Sequence, residues 1–170
     1  MIAVQTMITL QNATENDIPL IQTLAEKSWN SAYSKILTKD QIEYMLTEMY
    51  SAEEISKQLK NPNYFYYLIL QDEIPAGFIG FEFHYEKVTT KLHRIYLLEE
   101  FKGKGLGKKG LELLKEKVKE SSDQRIILNV NKDNPAKKIY ESQGFQVYRE
   151  EVFDIGNGFV MDDYLLEFYL

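Results

Sequence analysis

Cysteine is absent from this 170-residue chain, which excludes disulfides, thiolate metal sites and cysteine nucleophiles. Histidine is scarce. His84 and His93 are the only two, too few for a His-rich metal centre, so no metal is expected. No apolar run approaches the ~20 residues that a membrane span needs. The first residues, MIAVQTMITLQNATE, carry neither a basic start nor a small-residue cleavage site, so no signal peptide and a cytoplasmic location are expected. An excess of basic charge is lacking too. The formal net charge is −6, which argues against nucleic acid as a partner and is compatible with a cationic small substrate. Solubility explains the acidity equally well, so charge alone decides nothing.

Repeats, low-complexity stretches and Pro/Gly/Ser linkers are also missing. One domain over residues 1–170 is expected, long enough to bury a core without staples. Met7 to Asn12 alternates as a strand does. Asp17 is placed to cap a helix with Ile18, Ile21, Leu24 and Ala25 on its buried face. Thr38 opens a further helical stretch, and Ser51-Ala52-Glu53-Glu54 has the form of a capping box for a helix to about Leu59. Strands follow at Tyr64 to Leu70, Ala76 to Tyr85 and Leu92 to Leu97. A helix from Leu106 to about Glu120 carries its apolar face on Leu106, Leu113, Leu114 and Val118. A strand (Arg125 to Val130), a helix (Pro135 to Gln143) and two closing strands (Phe145 to Phe153, Phe159 to Tyr169) complete the chain. The expected order is β-α-α-β-β-β-α-β-α-β-β, an α/β (α+β) mixed sheet with helices on both faces.

Between the strand ending at Leu97 and the helix from Leu106 lies Lys102-Gly103-Lys104-Gly105-Leu106-Gly107. Glycines let a backbone turn its N–H groups toward an anion, and a helix start adds free N–H groups and a positive dipole end. Lys102, Lys104, Lys108 and Lys109 reverse the sign of an otherwise acidic chain locally. A Walker loop is excluded because Gly110 is followed by Leu111 where Lys is required. Gly105-x-Gly107-x-x-Gly110 matches the dinucleotide spacing, but Glu99 to Lys104 separates it from its strand and too little chain follows for a Rossmann sheet.

Ile95 to Gly107 resembles the central motif of the GNAT superfamily of acyl-CoA-dependent acetyltransferases: a strand, a bend, then Arg/Gln-x-x-Gly-x-Gly/Ala opening a helix. Lys102 stands where Arg or Gln is usual. Leu128 to Phe145 resembles the second motif, a strand, an Asn-containing turn, Ala136, Tyr140 and Gly144-Phe145. The resemblance covers Phe65 to Tyr148 firmly. Asp154 to Leu166 resembles the closing hairpin of bacterial members, and Trp29 to Leu59 is loosely similar to polyamine acetyltransferase-like members.

The resemblance implies splayed central strands and acetyl-CoA as co-substrate. Backbone groups of Ile95 and Leu97 would meet the pantetheine arm. N–H groups of Lys102, Gly103, Lys104, Gly105, Leu106, Gly107 and Lys108 would hold the pyrophosphate. Asn134, with Asn131 as the fallback, would hydrogen-bond the cofactor. Lys137 of the second motif is counted with the cofactor residues. Tyr140 would lie near the sulfur.

Transfer from a thioester to an amine needs a free amine, a polarised carbonyl and a protonated leaving thiolate. At pH 7 only about one primary alkyl amine in a thousand is free base, so a general base helps most. His93 is one candidate, since some arylalkylamine acetyltransferase members carry a catalytic histidine there, and Glu82 is the other. Tyr96 or Leu97 could supply the oxyanion N–H, and Tyr140 the proton for sulfur. Trp29, Tyr33 and Tyr44 with Glu43 and Glu48 could wall a polyamine site. The implied acceptor is a small-molecule amine or a peptide, with a homodimer compatible. A non-catalytic acyl-CoA-binding module and a nucleotide-binding protein are the competing readings.

Overall fold

The computed structural model describes residues 6–170. Its elements run β1 (Ile8–Asn12), α1 (Ile18–Tyr33), α2 (Lys39–Tyr50), α3 (Ala52–Lys60), β2 (Tyr64–Gln71), β3 (Ile74–Glu86), β4 (Thr89–Leu97), α4 (Leu106–Ser121), β5 (Arg125–Asn131), α5 (Ala136–Ser142), β6 (Gln146–Gly156) and β7 (Phe159–Tyr169). Three helices, not the two of the expected order, separate β1 from β2. Each of the last two has its own N-cap: Thr38 Oγ1 accepts from Gln41 N at 3.2 Å and Ser51 Oγ from Glu54 N at 3.1 Å. The expected Asp17 cap is not made. Its carboxylate instead accepts from Thr14 N at 2.9 Å, closing the turn ahead of α1.

The seven strands stand in the order β1-β2-β3-β4-β5-β7-β6, antiparallel except for β4 and β5. Helices α1 to α3 cover one face, where Ile21, Trp29, Ile55, Tyr66 and Phe78 are buried together. On the other face α4 and α5 lie against Ile79, Phe81, Ile126 and Leu128. Each such side chain contributes about 1.5–3 kcal/mol of burial. In α4 Leu111 is buried and Leu113 is only partly so, against expectation. Gly110 decides this rotation: a Cβ there would meet Ile95 Cδ1 at 3.2 Å, so the helix is closest to the sheet along Gly110 and Leu111. The dinucleotide-like spacing is therefore a helix–sheet contact.

Strand β4 starts at Thr89, three residues before the apolar run that announces it, because Thr89 to Lys91 are held by pairing with Arg125 to Ile127. The β3–β4 register then passes from Phe81↔Leu92 to Gly80↔Arg94, leaving His93 as a bulge. A bulge bends its strand and puts two consecutive side chains on one face. Both His93 and Arg94 turn toward α1–α3: His93 stacks on Tyr64 at 5.0 Å and Arg94 lies 4.2 Å over the Tyr50 ring. Pairing between β4 and β5 ends at Leu92↔Leu128, the residue before the bulge. From there the two strands diverge and a cleft opens. No described helix is long and apolar enough to cross a membrane.

Candidate active site

The cleft between β4 and β5 has a volume of about 440 Å³, in the range of small-molecule sites. One wall is β4 from Leu92 to Leu97 with the glycine loop, the other is β5 and α5, and Ser28, Ala32 and Tyr33 of α1 close one end.

Strand alternation sets what β4 offers. Leu98 N donates to Ala76 O at 2.8 Å, toward β3. Tyr96 shares that orientation, and Ile95 and Leu97 have the opposite one, with N–H and C=O facing the cleft where β5 has left. Of the two oxyanion candidates, Tyr96 N–H is thus turned to β3 and Leu97 N–H to the cleft. The Tyr96 side chain faces α1, where its hydroxyl hydrogen-bonds that of Tyr33 at 3.1 Å.

In the loop, Gly103 and Gly105 have φ of 76° and 84°, the left-handed region that suits glycine. This turns consecutive N–H groups the same way. Among the described residues, N–H groups from Gly103 to Lys108 donate to no protein acceptor, and Lys109 N makes the first helical bond, to Gly105 O at 3.1 Å. Such a row of free donors at a helix start is an anion cradle. Lys102, Gly103, Gly105, Leu106, Gly107 and Lys108 line the cleft. Lys104 does not. Its ammonium lies 5.7 Å over the Phe101 ring.

On the second wall, Asn134 lines the cleft. Its Oδ1 accepts from Ala136 N at 2.9 Å, closing the turn ahead of α5, and its Nδ2 donates to Tyr33 Oη at 3.4 Å. Asn131, the fallback, is buried and committed to its own turn, accepting from Asp133 N. Lys137 is outside the lining: it pairs with Glu141 at 3.5 Å and sits over Tyr164. Tyr140 lines the cleft, is 9% exposed and meets Phe145 edge-on. Burial raises its hydroxyl pKa, and Tyr33 adds to that. The group is held protonated and opens to the cleft, with no hydrogen bond to a described residue.

His93 and Glu82, alternatives in the sequence, form one pair: His93 Nε2 and Glu82 Oε1 are 3.0 Å apart. Asn61 Nδ2 supports Glu82 at 3.4 Å. Burial lowers the imidazole pKa well below its ordinary 6.5, and the Glu82 hydrogen bond opposes this only in part. His93 is therefore neutral near pH 7. With the carboxylate accepting from Nε2–H, Nδ1 keeps its lone pair. His93 lines the cleft and Glu82 stands behind it.

Of the aromatic and acidic wall, only Tyr33 reaches the cleft. Trp29 is core, 1% exposed, and donates to Tyr50 Oη. Tyr44 anchors the β6–β7 turn by donating to Ile155 O at 2.9 Å. Glu43 and Glu48 are on the solvent side of α2. Besides Asp123, which His84 and Thr90 bond away from the cleft, two buried charges escape a sequence reading. Arg94 lines the cleft and donates through Nη1 to Met49 O and Tyr66 Oη at 2.9 and 2.8 Å. Asp163 on β7 is buried without a partner. The only signal for Arg94 is the pair of polar residues His93-Arg94, which breaks strand alternation. Among the described residues no group of three His, Cys, Asp or Glu could hold a metal.

Diverging parallel strands, a glycine cradle at a helix start and an unpaired tyrosine across the gap define an acyl-coenzyme A-dependent transferase. The acetyltransferase (GNAT) domain profile matches residues 33–164, and the chain belongs to the GNAT family of acetyl-CoA-dependent N-acetyltransferases. Members act on small-molecule or peptide acceptors. Over 159 residues the chain is 26% identical to an uncharacterized N-acetyltransferase of the pepI 3′ region of Lactobacillus delbrueckii subsp. lactis, covering 89% of this chain and 92% of that one. It is also 26% identical over 163 residues to the spermidine N(1)-acetyltransferase of Thermoplasma acidophilum, with 91% and 96% covered. The crystal structure of the PaiA N-acetyltransferase of Thermoplasma acidophilum in complex with coenzyme A superposes with a TM-score of 0.82 at 22% identity, over 96% of this chain and 99% of that one.

Proposed function

We propose that this protein, as a single cytoplasmic domain, acetylates a primary amine of a small cationic molecule, a polyamine foremost, by direct attack in the β4–β5 cleft. The observation that carries the reading is the unpaired β4 edge at Ile95 and Leu97. It runs from the N–H cradle at Gly103–Lys108 to the His93 and Tyr140 side chains. The acidic chain and the spermidine acetyltransferase among its relatives support a cationic acceptor.

In this reading the cradle and the Lys102 and Lys108 ammoniums hold the pyrophosphate of acetyl-CoA, and Asn134 hydrogen-bonds the pantetheine arm. His93 Nδ1, kept free by Glu82, takes the proton that the amine nitrogen sheds as it bonds to the acetyl carbonyl carbon. Leu97 N–H donates to the carbonyl oxygen as charge gathers there. Tyr140 gives its proton to sulfur as the carbon–sulfur bond breaks. One proton is taken and one given, and exchange with solvent restores both groups.

The test is free-thiol release from acetyl-CoA with a panel of polyamines, monoamines and peptides. Turnover is expected with spermidine and related polyamines ahead of neutral-tailed amines. No thiol release with any amine would overturn the reading.

A further inference from the structure

Asp163 is the one described residue whose charge the fold leaves without an explanation. The residue is 6% exposed, its Oδ1 is fully buried while Oδ2 is not, and neither oxygen accepts a hydrogen bond from the described residues. An unpaired buried carboxylate is costly, and a fold that keeps one needs a reason. The neighbours give none. On β7, Asp163 alternates with Met161 and so points to the α1–α3 face. Its register partner on β5 is Asn131, whose amide is directed at Met161 Sδ. The charged and titratable groups around it are Tyr33 of α1, Lys91 of β4, Glu151 of β6 and Asp162 of β7. None bonds to it: Glu151 is paired with Arg149 and Asp162 with Lys132.

The location is specific. Burial raises the pKa of the Tyr33 hydroxyl and the Asp163 charge adds to that, and Tyr33 is an α1 residue that lines the cleft and bonds Tyr96 and Asn134. Asn129 and Val130, next to Asn131 on β5, line the cleft as well. The carboxylate thus stands one strand behind the cleft wall, outside the residues that line it, with Oδ2 as its open oxygen, and a ligand that reaches past Asn129 and Tyr33 would meet it unpaired. An ammonium brings three donors and a positive charge. An anionic ligand would be repelled and a neutral one would leave the charge uncompensated.

We infer that Asp163 is a specificity-determining residue that holds the non-reacting ammonium of a polyamine-class acceptor. The inference rests on the cationic-acceptor reading above and assigns a residue to it. The reacting nitrogen must be free base and goes to His93, so the second charge needs its own carboxylate.

Burial, with the nearby Asp162 charge, raises the Asp163 pKa from 3.8 to about 6, and Lys91 opposes this. The folded chain therefore binds this proton at higher pH than the unfolded chain. Its stability falls as pH rises from 3.8 to about 6, and the penalty is complete above that.

The test is Asp163→Asn in the full chain. The melting temperature is expected to rise relative to wild type at about pH 7.5 and to match it near about pH 4, where both side chains are neutral. The KM for spermidine should rise about tenfold or more, while that for an alkyl monoamine moves less than about twofold, with acetyl-CoA affinity unchanged. Calorimetric binding of spermidine to the coenzyme A-loaded protein should be lost in the variant. In wild type, carbon NMR should show the carboxyl pKa falling when spermidine is added. A melting temperature lowered at about pH 7.5 would mean a structural partner and overturn the inference. So would equal spermidine binding in both proteins, or a carboxyl pKa that spermidine does not move. Absence of turnover in both proteins sinks the acetylation reading instead, and the binding and NMR results still decide Asp163.

Discussion

Tyr140 lines the cleft with its ring buried, and its protonated hydroxyl bonds to no described residue, so the proton is free for a partner that enters there. A thiolate leaving group is such a partner. Tyr140→Phe removes the proton and keeps the ring against Phe145, so kcat for acetyl transfer should drop about 10²-fold while acetyl-CoA affinity holds. Steady-state kinetics beside acetyl-CoA titration checks this, and an unchanged kcat removes the donor role. His93 makes a different prediction, in pH. Because burial lowers its pKa, the acid limb of kcat at saturating amine should lie below the ordinary imidazole value of about 6.5. Glu82 holds that pKa up in part, so Glu82→Gln should move the limb further down and reduce kcat through loss of the Nε2–H tautomer. A purely structural Glu82 would leave the limb where it is.

Among the elements, the bulge in β4 sets the site. It turns His93 and Arg94 to one face and ends the β4–β5 pairing at Leu92. The remaining β4 residues are then held by β3 alone, and Gly77 is where that pairing is tightest. A Cβ at Gly77 would lie 2.1 Å from Tyr96 O, which is backbone and cannot move aside. Gly77→Ala should cost about 3 kcal/mol or more by denaturant unfolding. At Gly107 a Cβ would meet only Leu97 Cδ1 at 3.8 Å, so Gly107→Ala should stay within about 0.5 kcal/mol of wild type. The same contrast explains what the sequence allowed. Helix caps at Thr38 and Ser51, the Gly103–Gly107 turn and the Tyr140 motif are local patterns, and each folds where its residues predict. The bulge, the early start of β4 and the rotation of α4 onto Leu111 depend on partners more than ten residues away. The His93–Glu82 bond depends on register, and the isolation of Asp163 on what three other strands fail to offer. None of these has a local signature.

The whole sheet is two pieces joined by four residue pairs, Thr89↔Arg125 to Leu92↔Leu128. One piece carries β1 to β4 and the N–H cradle, the other β5 to β7 with Asn134 and Tyr140. Past Leu92 no hydrogen bond joins β4 to β5, and unpaired edges open more readily than paired ones. A ligand that spans the gap, with phosphates on Gly103–Lys108 and its acyl arm between Leu97 and Tyr140, would replace the missing pairing and bind only the folded chain. Acetyl-CoA at about 100 times its Kd should then stabilise the fold by about 2.7 kcal/mol, read as a rise in melting temperature. Hydrogen exchange should slow at two places together, Ile95 to Lys108 and Asn129 to Tyr140, because one molecule ties both walls. NAD and ATP carry phosphates for the cradle but no pantetheine arm for the unpaired β4 edge, and should give neither effect. Protection confined to the glycine loop would mean a phosphate site without the acyl channel, and the transferase chemistry assigned to His93 and Tyr140 would lose its footing.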